Sequence, residues 1–451
     1  MRPIKTVFWG GLALLALLWW IADPSALLAD GFFALRGEAV QLTGVLAMGC
    51  MSLAMILALR PRWPERWLGG LDKMYRLHKW LGVAALFLAI THWLWAQGTK
   101  WAVGWGWLER PVRGPRPPVD NWIEGLFLSL RGTAEDVGEW AFYAAVLLII
   151  VALVHFVPYG IFRKIHRLMA VVYLVLVFHA VVLIKFAYWT TPLGVVMAVL
   201  LAWGTVAAVI VLLGRVGAGR KVEGRIVRLH YYPELRVLEG DVDIPEGWPG
   251  HRSGQFAFVT SDTSEGPHPF TIASAWDPAE PRLTFIAKSL GDYTSTLRET
   301  LQVGQPVVLE GPYGFFTFED EVPVQIWVGG GIGITPFIAR MKQIARERKV
   351  RAGAFSRPEI HLFHSTSDYS EEAIGKLKAD AEAANVRLHV LHDPRDGRLS
   401  GDRVREAVPD WRQASLWFCG PIGFGAALKQ DFARHGMDVS HRFHQELFDM
   451  R

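Results

Sequence analysis

Long apolar runs crowd the chain before residue 214 and almost vanish after it. Six stretches have the length, about 20 residues, that a bilayer-crossing helix needs: 6–22, 39–59, 78–97, 139–157, 165–185 and 192–213. Beyond Lys221 the pattern changes to short strand-like segments separated by Gly and Pro turns, with mixed charge. The expected organisation is therefore a six-helix transmembrane domain over residues 1–217 and two soluble domains, 221–318 and 321–451. The run 7–21 follows Arg2 and Lys5 as a signal peptide would. Trp19, Trp20 and Asp23 stand where a small-residue cleavage site is required, so it reads as a first membrane helix.

Basic residues orient the spans. Arg2 and Lys5 precede the first; Arg60, Arg62, Arg66, Lys73, Arg76 and Lys79 separate the second from the third. Arg163, Lys164 and Arg167 lie between the fourth and fifth, and Arg215, Arg220 and Lys221 follow the sixth. All four clusters fall on one side if the N-terminus is inside, which makes the soluble part cytoplasmic and the chain a multi-pass protein of the inner (plasma) membrane. The 98–138 loop carries Lys100, Arg110, Arg113, Arg116 and Arg131 on the outer side, partly balanced by acids. Its tryptophans 101, 105 and 107 suit an interfacial belt, and 122–130 reads as an amphipathic surface helix. The formal charge of +4 is accounted for by these juxtamembrane clusters and calls for no nucleic-acid partner. Cys50 lies in an apolar run and Cys419 in the soluble part, so no disulfide joins them, in keeping with a reducing compartment.

Ionisable side chains inside a span are costly and mark function by default. The third stretch holds His78 and His92, fourteen residues apart. On a helix that is about 21 Å along the axis and a return to within about 40° of one face. The fifth holds His166 and His179 at matching depths, and both stretches run from inside to outside. His78 can face His166 near the cytoplasmic side, and His92 can face His179 near the outer side. Two stacked His/His pairs are what two six-coordinate haems require; polar packing between helices is the alternative. Zinc would need four ligands at one point, which pairs about four turns apart do not offer. The thirteen-residue spacing in the fifth stretch turns His179 about 140° from His166 on an ideal helix, so a bend or a change in winding is expected there. His155 has no partner at its depth and reads as a packing residue.

In the soluble part, 224–229, 235–242, 255–260, 283–287 and 306–310 read as strands of a small antiparallel barrel. Three motifs stand among them: His268-Pro269-Phe270-Thr271-Ile272-Ala273-Ser274, Lys288-Ser289-Leu290-Gly291-Asp292-Tyr293-Thr294 and Gly311-Pro312-Tyr313-Gly314. A buried-strand pattern at 324–328 then runs into Gly329-Gly330-Gly331-Ile332-Gly333-Ile334-Thr335-Pro336 and a helical run. Glycines let phosphates approach the backbone, and the start of the helix presents free N–H groups; Pro336 suits its first turn. Strands at 360–364, 388–391 and 416–418 continue a parallel sheet, the last ending in Cys419-Gly420-Pro421. Gln445-Glu446-Leu447-Phe448 lies near the C-terminus.

These motifs resemble the ferredoxin-reductase-type flavin and nicotinamide module in the form found in the transmembrane NADPH oxidase and ferric reductase superfamily. With the histidine-bearing helices, the resemblance covers nearly the whole chain. It implies an antiparallel β-barrel FAD domain and an α/β parallel-sheet NAD(P) domain. It also implies that Phe270 packs on the isoalloxazine, that Thr271 bonds near its reactive nitrogen, and that His268, Pro269, Lys288 and the Gly291, Asp292 and Thr294 turn serve FAD. Gly329, Gly331, Gly333, Thr335 and Pro336, with Ser365, Gly420 and Pro421, would hold NADPH or NADH. Cys419 would lie beside the nicotinamide, and Phe448 would cover the flavin until nicotinamide displaces it. Ser365-Thr366-Ser367-Asp368 stands where the family often has a phosphate-gripping Arg; Arg398 is a candidate charge, and NADPH is slightly favoured. The implied function is electron transfer from cytoplasmic NAD(P)H through FAD and two b-type haems to an extracytoplasmic acceptor: ferric chelate, O₂ giving superoxide, or a periplasmic partner protein. Ala96 stands where family oxidases often carry a second histidine beyond the outer ligand.

Overall fold

A computed structural model describes residues 2–28, 30–109, 119–154, 157–350 and 358–446. The chain divides into two compact units, Met1–Gly217 and Ala218–Arg451.

The first unit contains six helices long and apolar enough to cross a membrane: Pro3–Ala22, Phe32–Ala58, Leu71–Gly104, Trp122–Leu153, Tyr159–Leu183 and Pro192–Leu212. Their outward faces carry large apolar side chains such as Leu147, Val195 and Trp203, while Ala134, Gly138, Ala141, Ala145, Gly204, Ala207 and Ala208 turn inward. Small inward residues let helix backbones approach where lipid offers no hydrophobic drive to association. Gly204 shows the need: an added β-carbon would stand 2.0 Å from the hydroxyl oxygen of Tyr173, which is fully buried and 2.8 Å from Ser52 Oγ. At one end of the bundle Lys185 donates to Asp23 and Glu38, both at 2.6 Å, tying the first, second and fifth spans together.

Three spans differ from the hydropathy reading. The fourth begins at Trp122, capped by the Asn121 side chain, so 122–130 is the first part of the span and not a separate surface helix. The third extends to Gly104 through a π-helical turn, Leu94–Gly98. The fifth is broken: one helix ends at His166 and another starts at Met169. His155 and the arginines at 110, 113 and 116 lie outside the described residues.

The second unit holds two sheets. The first joins β1 (Lys221–Tyr232), β2 (Val237–Asp243), β3 (Phe256–Thr260), β4 (His268–Thr271), β5 (Arg282–Lys288) and β6 (Pro306–Tyr313), antiparallel in the order β4-β3-β6-β1-β2-β5. The outer strands meet at one isolated bridge, Ile272 to Phe285. β4, the His-Pro-Phe-Thr segment, was legible as a motif but not as a strand; its proline is tolerated because the strand lies at an edge.

The second sheet joins β7 (Val324–Gly330), β8 (Glu359–Thr366), β9 (Arg387–His392), β10 (Ser415–Cys419) and β11 (Phe443–Gln445), all parallel, in the order β11-β10-β7-β8-β9. Along β7 the side chains alternate faces. Trp327 joins Phe318, Phe337 and Trp417 on one side, while Ile326 and Val328 join Leu416, Phe418 and Phe432 on the other. Both faces are apolar, so helices cover both. β11 had no signal in the pattern, being three residues long and specified only by its place beside β10.

Glu239 on β2 bonds Arg228 at 2.5 Å, Lys376 at 2.9 Å and the Tyr232 hydroxyl at 3.1 Å. Burial opposes its charge, but Lys376 and Arg228 outweigh burial and hold the carboxyl at about 2. A depressed carboxyl contributes stability that is full above its unfolded value and lost as pH falls through the folded one. Urea unfolding of the reductase part should therefore weaken as pH drops from about 5 towards 2. Glu239→Gln should abolish that component and cost about 2 kcal/mol, since both cations are half exposed.

Candidate redox sites

In the first unit the four span histidines meet as two couples. The rings of His78 and His166 have centroids 6.0 Å apart at 72°; those of His92 and His179 are 6.2 Å apart at 77°. The interruption after His166 re-aims the second half of the fifth span: Leu168, Ala170 and Val171 each donate their N–H three residues back, to Ile165, Arg167 and Leu168. Such tight turns add rotation per residue that a regular α-helix lacks.

Backbone carbonyls set three of the rings. His78 Nδ1 donates to Ala54 O at 3.0 Å, His92 Nδ1 to Val40 O at 3.0 Å and His179 Nδ1 to Ala134 O at 2.8 Å. A proton held at Nδ1 leaves Nε2 with its lone pair, the tautomer a metal-ligating imidazole adopts. The fourth ring, His166, stacks on Phe162 at 5.2 Å, and its Nδ1 is buried with no partner among the described residues. Two imidazoles each about 2 Å from a shared metal have ring centres roughly 6 Å apart, so both couples have the separation such a ligand set requires.

Residues that sequence reasoning missed shape the His92–His179 couple. A β-carbon on Gly138 would stand 1.9 Å from His179 Nδ1, and one on Gly44 would stand 3.2 Å from the His92 ring. Gly138→Val should displace His179 and overpack the bundle by about 1–3 kcal/mol, read as a lower Tm of the purified protein with flavin content unchanged. Just beyond His92, the π-helical turn exposes carbonyls that an α-helix would use. Arg36 donates to Trp95 O at 3.1 Å and Ala96 O at 3.2 Å. Gln97 Nε2 donates to Glu139 at 2.8 Å. Hydropathy carries no signal for a π-helical turn, which depends on a neighbouring helix taking up the freed groups.

In the second unit the three flavin motifs converge. The His268 ring stacks on Tyr293 with centroids 3.8 Å apart and planes 11° from parallel, and Ser261 Oγ lies 2.6 Å from the Tyr293 hydroxyl. Phe270 and Thr271 sit opposite Ala257 and Phe256 in the β3–β4 ladder. Thr294 Oγ1 accepts from the N–H groups of Leu290 and Gly291, both at 3.0 Å, fixing the start of the helix Asp292–Thr300. The first N–H groups of that helix are left for an anion. Gly311-Pro312-Tyr313-Gly314 closes β6, with Gln255 Nε2 donating to Gly314 O at 3.2 Å.

The glycine loop after β7 forms one 3₁₀ turn, Gly331–Ile334, and leads into the helix Thr335–Val350. Thr335 Oγ1 donates to Ile332 O at 2.8 Å, and Pro336 lies in the first turn. This loop packs backbone to backbone on the Cys419-Gly420-Pro421 turn. A β-carbon on Gly333 would stand 2.2 Å from Cys419 O, and one on Gly420 would stand 3.0 Å from Gly330 Cα. Cys419 is fully buried, and burial together with the nearby Glu446 carboxylate pushes its thiol well up, so it is held as a thiol. Glu446 is itself buried, beside Gly314. Sequence reasoning read it only as part of the terminal motif, although the position two residues before Phe448 was its signal. Phe448 lies outside the described residues. Lys288 is not directed at open solvent: it pairs with Asp368 at 2.5 Å. Ser365 is engaged as well, donating to Asp393 at 2.7 Å.

The first unit is thus a multi-pass membrane bundle with two facing histidine couples, and the second carries flavin- and nicotinamide-type loops on an antiparallel and a parallel sheet. Together they resemble a ferric-reductase-like transmembrane component joined to a flavin- and nicotinamide-binding module. Residues 43–177 match the family described as ferric reductase like transmembrane component. The NADPH oxidoreductase of Mycobacterium tuberculosis is 26% identical over 243 residues, covering 51% of this chain and 61% of that protein. Respiratory burst oxidase homolog protein B of Solanum tuberosum is 26% identical over 309 residues, covering 50% and 35%. The flavohemoprotein of Pseudomonas putida is 26% identical over 187 residues, covering 39% and 45%. The chain spans about half the length of the curated relatives it matches. Among solved structures, the Amycolatopsis cytochrome P450 reductase GcoB aligns at a TM-score of 0.43 and 21% identity, over 51% of this chain and 70% of its own.

Proposed function

We propose that the chain is a transmembrane oxidoreductase that takes electrons from NAD(P)H on the cytoplasmic side of the plasma membrane and delivers them to an acceptor on the other side. The observation that carries this reading is the two histidine couples at different depths between the same two spans, three of their four rings aimed by backbone carbonyls. A packing role would account for the three carbonyl bonds but not for the matched separations of 6.0 and 6.2 Å between the rings. Residues 1–217 would form the haem domain, 221–318 a barrel-type FAD domain and 321–451 the NAD(P) domain, with the basic clusters orienting both soluble domains to the cytoplasm.

His78 with His166 and His92 with His179 would each hold a b-type haem, while His268, Pro269, Phe270, Thr271 and the Gly291–Asp292–Thr294 turn would hold FAD; when bound, flavin accepts hydride and haem carries single electrons. The chain's own residues orient and tune. The N–H groups at Gly329, Gly331 and Gly333 and the helix starting at Thr335 suit the nucleotide's pyrophosphate. Cys419 and Glu446 lie beside the Gly333 and Gly314 loops, where Cys419 would stand as a neutral thiol at the place a nicotinamide ring reaches. Their burial excludes water from that place.

The acceptor is ferric chelate or dioxygen, and the alternative is a partner protein on the outer face. Purified protein supplied with NAD(P)H should show a reducible b-type haem spectrum. Anaerobic turnover with ferric citrate is then compared with aerobic superoxide formation. Iron reduction without superoxide identifies a ferric reductase, and the reverse an oxidase. Activity in neither assay, with haems that stay reduced, points to the partner protein. Absence of both haem and flavin from the purified protein would sink the reading.

A further inference from the structure

The nicotinamide reading leaves the identity of the nucleotide open, and the edge of the parallel sheet bears on it. Gly330, Ser365 and Leu391 stand side by side on β7, β8 and β9, so these strands end together next to the glycine loop. In sheets of this kind the pyrophosphate docks at the glycine loop and the adenosine ribose reaches the end of a neighbouring strand. A carboxylate there bonds a free 2′-hydroxyl, whereas an arginine accommodates a 2′-phosphate. Here Ser365, at the end of β8, donates to Asp393 Oδ1 at 2.7 Å, just past the end of β9. Two nearby cations are already engaged by other acids. Lys288 pairs with Asp368 at 2.5 Å, and Arg395 donates to Asp396 through two bonds, both of 2.9 Å.

We propose that Asp393, oriented by Ser365, reads the adenosine ribose and makes NADH the preferred electron donor over NADPH. The proposal rests on the nucleotide site assigned above. One Asp393 oxygen accepts from Ser365 and the other is available to a 2′-hydroxyl. A 2′-phosphate, carrying between about one and two negative charges, would meet that carboxylate while Lys288 and Arg395 are held by other acids; Arg398, exposed on the loop after β9, is the cation it could turn to. The slight lean of the sequence towards NADPH drew on Ser365, Thr366 and Arg398; of these, Ser365 donates to Asp393 and Thr366 to Asp368 O.

The test uses the full-length protein in detergent, with FAD bound and oxygen excluded. Flavin bleaching by NADH and by NADPH gives kcat/KM for each, and calorimetry compares 5′-ADP with 2′,5′-ADP as binding probes. NADH should be favoured by about tenfold or more, 5′-ADP should bind tighter, and Asp393→Asn should narrow both differences. NADPH equal to or better than NADH, or 2′,5′-ADP binding as tightly as 5′-ADP, overturns the proposal. An unchanged preference in folded Asp393→Asn overturns it equally. If that variant does not fold, the wild-type comparison decides. Failure of both nucleotides to bleach flavin and of both ADP probes to bind would remove the nucleotide site itself, a result distinct from a reversed preference.

Discussion

Replacing His92 and His179 together with alanine should halve the haem content of the purified protein and leave NAD(P)H-driven flavin bleaching intact. The two rings stand 6.2 Å apart with Nδ1 protons directed to Val40 O and Ala134 O, so both Nε2 atoms are free to ligate. Alanine removes both ligands and leaves a cavity, but the bundle keeps its other contacts, including the Tyr173–Ser52 pair and the Lys185 network. In the other couple, His78 keeps its aim through Ala54 O and still faces His166. Haem is measured per mole of protein by pyridine haemochrome, and dispersity by gel filtration. A monodisperse variant with full haem content would show that this couple does not ligate. The expected functional loss is complete for any outer acceptor, because removal of one carrier breaks the only path the proposal provides.

Gly333→Ala should have the complementary effect: haem and FAD retained, flavin reduction by nicotinamide nucleotide reduced by about 100-fold or more, as a displacement of roughly an ångström at a reacting site can do. The new β-carbon would stand 2.2 Å from Cys419 O and 2.8 Å from Gly420 N. Both obstacles are backbone, so no rotamer change relieves the clash and the two loops must part. Anaerobic stopped-flow spectroscopy follows flavin bleaching, and dithionite titration confirms that haem and flavin remain. Near-normal bleaching would mean that the packing of the two loops does not position the nucleotide. The flavin motifs lie in β4, β6 and the turn before the helix Asp292–Thr300, and none of them contains Gly333, which is why FAD content should survive.

The sites became legible from the sequence to different degrees. The glycine loop and the Cys419-Gly420-Pro421 turn were recognisable as separate motifs, yet their backbone contact was not, because it joins β7 to β10 across nearly ninety residues of chain. Ser365 was read as a nucleotide-site residue, and local sequence carries no sign that Asp393 sits within bonding distance just past the end of the next strand. Glu446 was visible as a letter in a motif, and only its burial beside Cys419 and Gly314 marks it as part of the site.

The sequence by itself determined the six apolar spans, their basic flanks and the depths of the four histidines. Hydrophobic length and spacing along a helix are one-dimensional properties, set by composition and the rise per residue. It also determined the change at Lys221 from spans to short strands. Only the tertiary structure decided how His166 and His179, misaligned on an ideal helix, reach their partners. The break after His166 and the carbonyls of Ala54, Val40 and Ala134 do this, and those carbonyls belong to other helices. It likewise decided that Gly138 makes room for His179, that the third span opens into a π-helical turn beside Arg36, and that the fourth span begins at Trp122. In each case the outcome depends on which neighbour fills or vacates a few ångströms of space, and periodicity along one chain segment does not encode that.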